Sequence, residues 1–179
     1  MQRLDVETSG CVLFARDPEA WQALHERFTA REVEKTYLAL VVGRVASGGV
    51  SSVPLAQRGG RVLPVPDLVA EERLRDKGLR PRPAETHWEV ERRFQAFTLL
   101  RVRIVTGVMH QIRVHLAHLG HPVAGDAAYG GSAAAVAGLG RHFLHATRLA
   151  LDGPEGRVEA VSPLPRELEA VLATLEPSA

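Results

Sequence analysis

The chain has 179 residues, 45% hydrophobic and 24% charged, which is enough to bury the core of one globular domain. Its formal net charge of +1 excludes a strongly basic surface, so any nucleic-acid contact has to come from local arginine clusters. The single cysteine, Cys11, excludes an internal disulfide, and we find neither a signal peptide nor an apolar run of membrane-spanning length. We expect a cytoplasmic monomer.

The first 42 residues predict a strand, a helix and a second strand. The apolar run 11–15 predicts the first strand. Asp17 followed by Pro18 predicts a helix start, with aspartate at the N-cap and proline at the first helical position. The aliphatic and aromatic residues of 35–42 predict the second strand.

The segment 47–82 is rich in glycine, proline and arginine. It predicts short strands near 53–65. The charged residues 70–82 predict a mobile loop, which suits either a loop that closes on a ligand or a solvated insertion.

The second half predicts three further strands and two helices. The strands are expected at 86–94, 97–105 and 142–151, and the helices at 109–119 and 165–175. Strands predominate, and tight connections join several of them. The sequence therefore predicts an α+β fold with a mixed, mainly antiparallel sheet and flanking helices.

Asp5 lies on a polar turn directly before the first predicted strand, in the string Arg3-Leu4-Asp5-Val6-Glu7-Thr8-Ser9-Gly10. These residue types form turns for local hydrogen-bonding and backbone reasons alone. The same position would also present a carboxylate at the mouth of a sheet, where it could act in catalysis. The turn by itself favours the first interpretation.

Six of the eight histidines fall within 36 residues: His110, His115, His118, His121, His142 and His145. His115 and His118 share a helix face, and Asp126 could add an oxygen ligand to a metal ion. The spacing matches no standard zinc pattern, and histidines near a helix C-terminus are favoured by the helix dipole alone. We therefore predict no metal site, with a metal-dependent hydrolase as a minor alternative.

Arg113 lies beside the apolar stripe of the helix predicted at 109–119. A cation there is unfavourable unless a carboxylate meets it or its side chain reaches solvent. Asp5 is a candidate partner, and a neighbouring cation would keep that carboxylate ionised.

Four separated segments, in order, resemble the RluA-type pseudouridine synthases, which isomerise uridine to pseudouridine in ribosomal or transfer RNA. The segments are Arg3-Leu4-Asp5 with Thr8-Ser9-Gly10, Lys35-Thr36-Tyr37, the string from Thr106 to Tyr129, and Phe143-Leu144-His145-Ala146. The resemblance implies a central catalytic cleft with Asp5 as the catalytic residue. It also implies that Tyr37 packs on the target base, that Arg113 pairs with Asp5 and that Leu144 supplies an apolar contact.

The chain departs from the family pattern at a few positions. Gln2 stands where relatives usually have histidine before Arg-Leu-Asp. Val108 and Met109 stand where they usually have Arg-Thr, which removes one expected phosphate or base contact. Relatives also carry a further segment before the aspartate motif. We therefore expect residues 1–179 to form a single catalytic domain without that segment and without a separate RNA-binding domain.

The predicted function is pseudouridine formation in structured RNA, ribosomal more than transfer RNA, by an aspartate without cofactor. The target uridine has to leave its stack to be reached. Arg3, His110 and Gln111 are candidate contacts to the base or the RNA backbone, and Arg92-Arg93 with Arg101 and Arg103 are candidate phosphate contacts. The alternative is a catalytically weak RNA-binding or ribosome-assembly module on the same fold.

Overall fold

The computed structural model describes residues 3–153 and 156–177. Within them lie a seven-stranded mixed sheet, a two-stranded sheet and four α-helices. The strands are β1 (Ser9–Gly10), β2 (Glu34–Val42), β3 (Gly49–Ser51), β4 (Leu55–Arg58), β5 (Arg61–Pro64), β6 (Thr86–Arg93), β7 (Phe97–Ile104), β8 (Leu144–Gly153) and β9 (Gly156–Val161). The helices are α1 (Pro18–Ala30), α2 (Leu68–Arg75), α3 (Gln111–His118) and α4 (Arg166–Thr174).

The large sheet has the order β1-β8-β2-β7-β6-β3, and β9 also pairs with β8. Strands β6 and β7 form an antiparallel hairpin, as do β8 and β9, while β1 runs parallel to β8. The small sheet is the antiparallel hairpin of β4 and β5. The predicted α+β fold with a mainly antiparallel sheet is confirmed.

Most predicted elements are present within a few residues of their expected bounds. Helix α1 begins as expected, with the Asp17 side chain accepting a hydrogen bond of 2.8 Å from the amide of Ala20. Helix α3 ends at His118, and Gly120, two residues beyond it, has a φ of +86° that suits glycine as the terminating residue.

The prediction of a strand at 11–15 is wrong. Only Ser9 and Gly10 form a strand with β8, and residues 11–15 belong to no strand. The reason lies in β8, whose edge from Arg148 onward is already occupied by β9. As a result the side chains of Val12 and Phe14 are 39% and 78% exposed.

The loop predicted at 70–82 begins within helix α2. The Asp67 side chain accepts a hydrogen bond of 2.8 Å from the amide of Ala70 and so caps this helix. The short strands expected near 53–65 are present as β4 and β5, which turn at Gly59 with a φ of +59°.

Helix α3 is packed between the large sheet and the β4–β5 hairpin. On one side, Ile112 and Leu116 join the core of β2, β7 and β8. On the other, Val114 joins the smaller cluster with Leu55 and Val62 of the hairpin. This burial on two sides fixes the position of α3 and of the residues next to it on the chain.

No helix in the described part of the chain is long and apolar enough to cross a membrane.

Candidate active site

Asp5 begins a tight turn that we call the Asp5 turn (residues 5–8). The amide of Thr8 donates to the carbonyl of Asp5 at 2.9 Å, and Thr8 Oγ1 lies 2.8 Å from His142 Nε2. The chain then passes through Gly10 at a φ of +117°, where a Cβ atom would collide with the backbone of Ala146. Glycine is thus required at the point where the turn meets β8.

Arg113 is the charged group at the centre of the site. Its Nε and Nη2 donate to the two carboxylate oxygens of Asp126 at 2.7 and 2.8 Å, and its Nη1 donates to Asp5 Oδ2 at 3.0 Å. The Asp126 side chain is fully buried, and the Asp5 side chain is 20% exposed. Arg113 is therefore held rigidly by one carboxylate and presented to the other.

The charges at this centre stabilise each other. Burial by itself would lower the pKa of Arg113, but hydrogen bonds and charge from Asp126 and Asp5 outweigh it and raise the pKa. Burial would likewise raise the pKa of Asp126, but Arg113, with the amides of Ala128 and Tyr129, lowers it. Both groups are consequently charged at neutral pH.

His110 lies at the N-terminus of α3 in the left-handed region, with a φ of 55°. Its Nδ1 lies 2.8 Å from the hydroxyl of Tyr129, and its Nε2 lies 4.0 Å from Asp5 Oδ1, too far for a hydrogen bond. The amide of Val62 donates to the same Tyr129 hydroxyl, which leaves the phenolic proton available to His110. Tyr129 thus orients the imidazole towards Asp5.

A cavity of about 270 Å³ opens at this centre. Its lining residues are Asp5, Val6, Glu7, His110, Arg113, Asp126, Ala127, Ala128 and His142. Its volume is close to the lower end, roughly 300 Å³, of small-molecule sites. The walls combine carboxylates, a guanidinium and imidazoles, a set able to bind a polar base and transfer protons.

His142 forms the buried wall of the cavity. Its Nε2 lies 2.8 Å from Thr8 Oγ1, while its Nδ1 lies 3.3 Å from Glu7 Oε2 without making a hydrogen bond. Burial first, and then the charge of Arg113, lower the pKa of His142. The imidazole is therefore neutral near pH 7.

The predicted site residues divide into two groups. Asp5, Arg113 and His110 come together on the cavity wall. Tyr37 and Leu144 are buried at 5% and 4% exposure in the core shared with α3, and neither is among the residues that line the cavity.

The other two predicted contacts also lie away from the cavity lining. Gln111 is buried, and its side chain donates to the Glu85 carbonyl and the Thr86 hydroxyl while accepting from the amide of Val108. It holds the loop before α3. Arg3 is exposed, and Gln2 lies outside the described residues.

Sequence reasoning missed the part played by Asp126, which it considered only as an oxygen ligand for a metal ion. Among the described residues, no group of three histidine, cysteine, aspartate or glutamate side chains could hold a metal ion. The amides of Ala128 and Tyr129 donate to Asp126 Oδ1 at 3.0 and 3.2 Å. An aspartate often accepts hydrogen bonds from the amides two and three residues after it in a turn, so the sequence 126–129 carried a signal for this arrangement.

Comparisons with known proteins indicate the family of this chain. The sequence model of the family described as RNA pseudouridylate synthase matches residues 1–118. Ribosomal large subunit pseudouridine synthase D of Xanthomonas campestris is 37% identical, over 98% of this chain and 54% of its own length. Synthase C of Haemophilus ducreyi is 36% identical, over the same shares of both chains. The chain spans about half the length of these curated relatives.

A solved structure extends the likeness to the fold. Human RNA pseudouridylate synthase domain containing 1 superimposes with a TM-score of 0.81 at 27% identity, over 99% of this chain and 73% of that one. The family resemblance of the four segments is confirmed, and the chain belongs to the RNA pseudouridylate synthase family.

Proposed function

We propose that this chain isomerises uridine to pseudouridine in RNA, with Asp5 as the catalytic residue. The observation that carries the proposal is the hydrogen bond of 3.0 Å from Arg113 Nη1 to Asp5 Oδ2, at the wall of a cavity that also presents His110. Because Asp126 already fixes the guanidinium, Arg113 can hold the Asp5 carboxylate in one orientation without itself moving.

The reaction conserves all atoms and needs no oxidant or cofactor. The bond from ribose C1′ to uracil N1 breaks, and a bond from C1′ to C5 forms. The C5 hydrogen is released as a proton, and N1 gains a proton. An ionised carboxylate can begin this sequence as a nucleophile or as a base. Arg113 binds one oxygen of Asp5, and the other, Oδ1, lies beyond hydrogen-bond distance of His110.

The roles proposed for the remaining site residues rest on different kinds of observation. His110 is positioned by Tyr129 to contact the substrate or to exchange a proton near Asp5. Arg3 is exposed and free to meet the RNA backbone. Contacts of Tyr37 and Leu144 with the base rest on the family resemblance alone, because both side chains are buried in the core. We propose a positioning role for the buried Gln111.

We propose structured ribosomal RNA as the substrate, acted on by residues 1–179 as one catalytic domain. The support is that the relatives described above are named as ribosomal large subunit pseudouridine synthases. A basic group stands at the rim of the cavity, where Arg61 donates to the carbonyl of Ala128 at 3.0 Å. Such an arginine suits the phosphates of RNA whose target base is turned into the pocket.

Product mapping tests this function. The purified chain would be incubated with unmodified transcripts of large-subunit ribosomal RNA and, separately, of transfer RNA. Pseudouridine would then be located by chemical labelling and primer extension. We expect a small number of discrete sites in the ribosomal transcript. Binding of the transcript without any new pseudouridine would contradict the proposal and favour the RNA-binding module. Modification of transfer RNA alone would contradict the substrate assignment only.

A further inference from the structure

Arg141 links the Asp5 turn to two other elements. It lies three residues before β8, and its Nη1 donates to the carbonyl of Glu7 at 2.7 Å. Its Nη2 donates both to Ser9 Oγ and to Glu167 Oε1, each at 2.9 Å. Glu167 belongs to the first turn of α4. One guanidinium therefore joins the segment that carries Asp5 to the C-terminal helix.

The Arg141 side chain faces the protein rather than the cavity. It is only 18% exposed, and it also approaches the carbonyls of His142 and Leu144 at 3.4 and 3.5 Å. It is not among the residues that line the cavity. Its contacts are thus those of a fixed internal link, and both Nη1 and Nη2 are already engaged.

Apart from the contacts of Asp5 with Arg113 and of Thr8 with His142, the Asp5 turn is held mainly by this link. Val6 is fully exposed, and the Glu7 side chain is 53% exposed, so burial fixes neither residue. The strand that follows contributes only Ser9 and Gly10 to the ladder. A turn with so little buried surface would otherwise be free to fluctuate.

We propose that Arg141 is a positioning residue, which holds the Asp5 turn against β8 and α4 so that the Asp5 carboxylate meets Arg113 at the cavity. The inference rests on the proposed function. A displacement of about 1 Å at a catalytic group can lower the rate roughly 100-fold. The planar guanidinium, with donors on two nitrogens, can hydrogen-bond to the Glu7 carbonyl, the Ser9 hydroxyl and the Glu167 carboxylate at the same time. Lysine keeps the charge but loses this geometry.

Arg141→Lys tests the proposal, with Arg148→Lys as its matched control. Arg148 lies on the same β8 region and makes a similar fork, with Nε and Nη2 bonded to Glu159 and Nη1 bonded to Glu34. We expect Arg141→Lys to lower kcat by about 10- to 100-fold with KM for the RNA within about twofold. For Arg148→Lys both constants should stay within about twofold of the parent value.

Ser9→Ala provides a second variant. It removes the hydroxyl that Arg141 and His145 Nδ1 both approach. We expect a smaller loss of kcat, and the loss in the double variant should be less than the product of the two single losses, because both act through one contact.

Amide hydrogen exchange supplies a readout that does not depend on activity. The Thr8 amide donates to the Asp5 carbonyl, and the Cys11 amide donates to the Ala146 carbonyl. We expect both amides to exchange at least about tenfold faster in Arg141→Lys, and to be unchanged in Arg148→Lys. If the parent chain made no pseudouridine, the proposed function would fail while exchange still tested the link.

Three results would overturn the proposal. Unchanged exchange at Thr8 and Cys11 in Arg141→Lys would show that the link does not hold the turn. An unchanged kcat would show that positioning by Arg141 does not matter for turnover. A raised KM with kcat unchanged would make Arg141 a direct RNA contact instead.

Discussion

Arg113 donates to both oxygens of Asp126, at 2.7 and 2.8 Å, and this pairing leaves its Nη1 directed at Asp5. Both residues line the cavity, but the Asp126 side chain is fully buried whereas the Asp5 side chain is 20% exposed. The two carboxylates therefore serve different purposes on one guanidinium. Asp126 compensates the buried charge of Arg113, and we propose that Asp5 depends on the same cation for catalysis.

Replacement of Asp126 by asparagine should be strongly destabilising. It leaves the buried Arg113 with a single charged partner, and breaking such a buried pair typically costs about 3–5 kcal/mol. We expect the free energy of unfolding in urea to fall by that amount. Turnover should fall as well, because Arg113 would lose its fixed orientation.

Glu91→Gln is the matched control for Asp126→Asn. Glu91 makes the same two-point pairing with Arg101, at 2.8 and 2.9 Å, but on the surface, where the two side chains are 38% and 45% exposed. Exposed pairs contribute about 0–1 kcal/mol. Equal losses in the two variants would contradict the account of Asp126.

Stability should decrease on mild acidification because of His115. This side chain is completely buried, with Nδ1 at 2.8 Å from Thr86 Oγ1 and Nε2 at 2.8 Å from the Val53 carbonyl. Burial lowers its pKa, so the folded protein keeps it neutral while the unfolded chain takes up a proton near pH 6.5. The unfolded state then binds more protons below about pH 6.5.

Because the unfolded state binds more protons than the folded state in this range, the free energy of unfolding falls as the pH falls. The stabilisation by neutral His115 is complete above about pH 6.5 and is lost as the pH falls towards the lowered folded pKa, by at most ~1.4 kcal/mol per pH unit. Urea unfolding between pH 5 and pH 8 measures this slope. His115→Gln should make it shallower, whereas His25→Gln, on the exposed face of α1, should not. Identical slopes in the parent and His115→Gln would refute the assignment.

Gly10→Ala should destabilise the fold and slow turnover. Gly10 has a φ of +117°, and an added Cβ would collide with the backbone of Ala146, so the Asp5 turn would have to shift away from β8. A strained backbone of this kind costs about 1–3 kcal/mol. Gly60→Ala is the control, because no atom lies within 4 Å of its added Cβ. The melting temperatures of the two variants measure this difference. Equal melting temperatures would contradict the tight fit at Gly10.

Local signals predicted most of the fold. The Asp17-Pro18 cap located α1, and the apolar patterns of 35–42 and 97–105 located β2 and β7. The errors arose where a strand depends on distant partners. The run 11–15 has the composition of a strand, but β9 occupies the edge of β8 on which it would pair. Strand β9 was itself missed, because all of its residues are exposed and two are charged.

The candidate site was predictable only in part. The four family segments indicated Asp5 and Arg113, and their contact follows from two segments that are 108 residues apart in the chain. The two-point pairing of Arg113 with Asp126, and the link from Arg141 to Glu7, depend on the path of the loops between α3 and β8. No local pattern in the sequence encodes that path.

We propose that the Asp5 carboxylate carries out the isomerisation. Release of tritium from RNA labelled at uracil C5 measures it most directly, because the C5 hydrogen leaves when C5 bonds to the ribose. We expect Asp5→Asn to lower the rate of release by at least about 1,000-fold with folding preserved, whereas Asp152→Asn, at a carboxylate 74% exposed on the surface, should stay within about twofold. Release by Asp5→Asn at a rate comparable to the parent would contradict the claim.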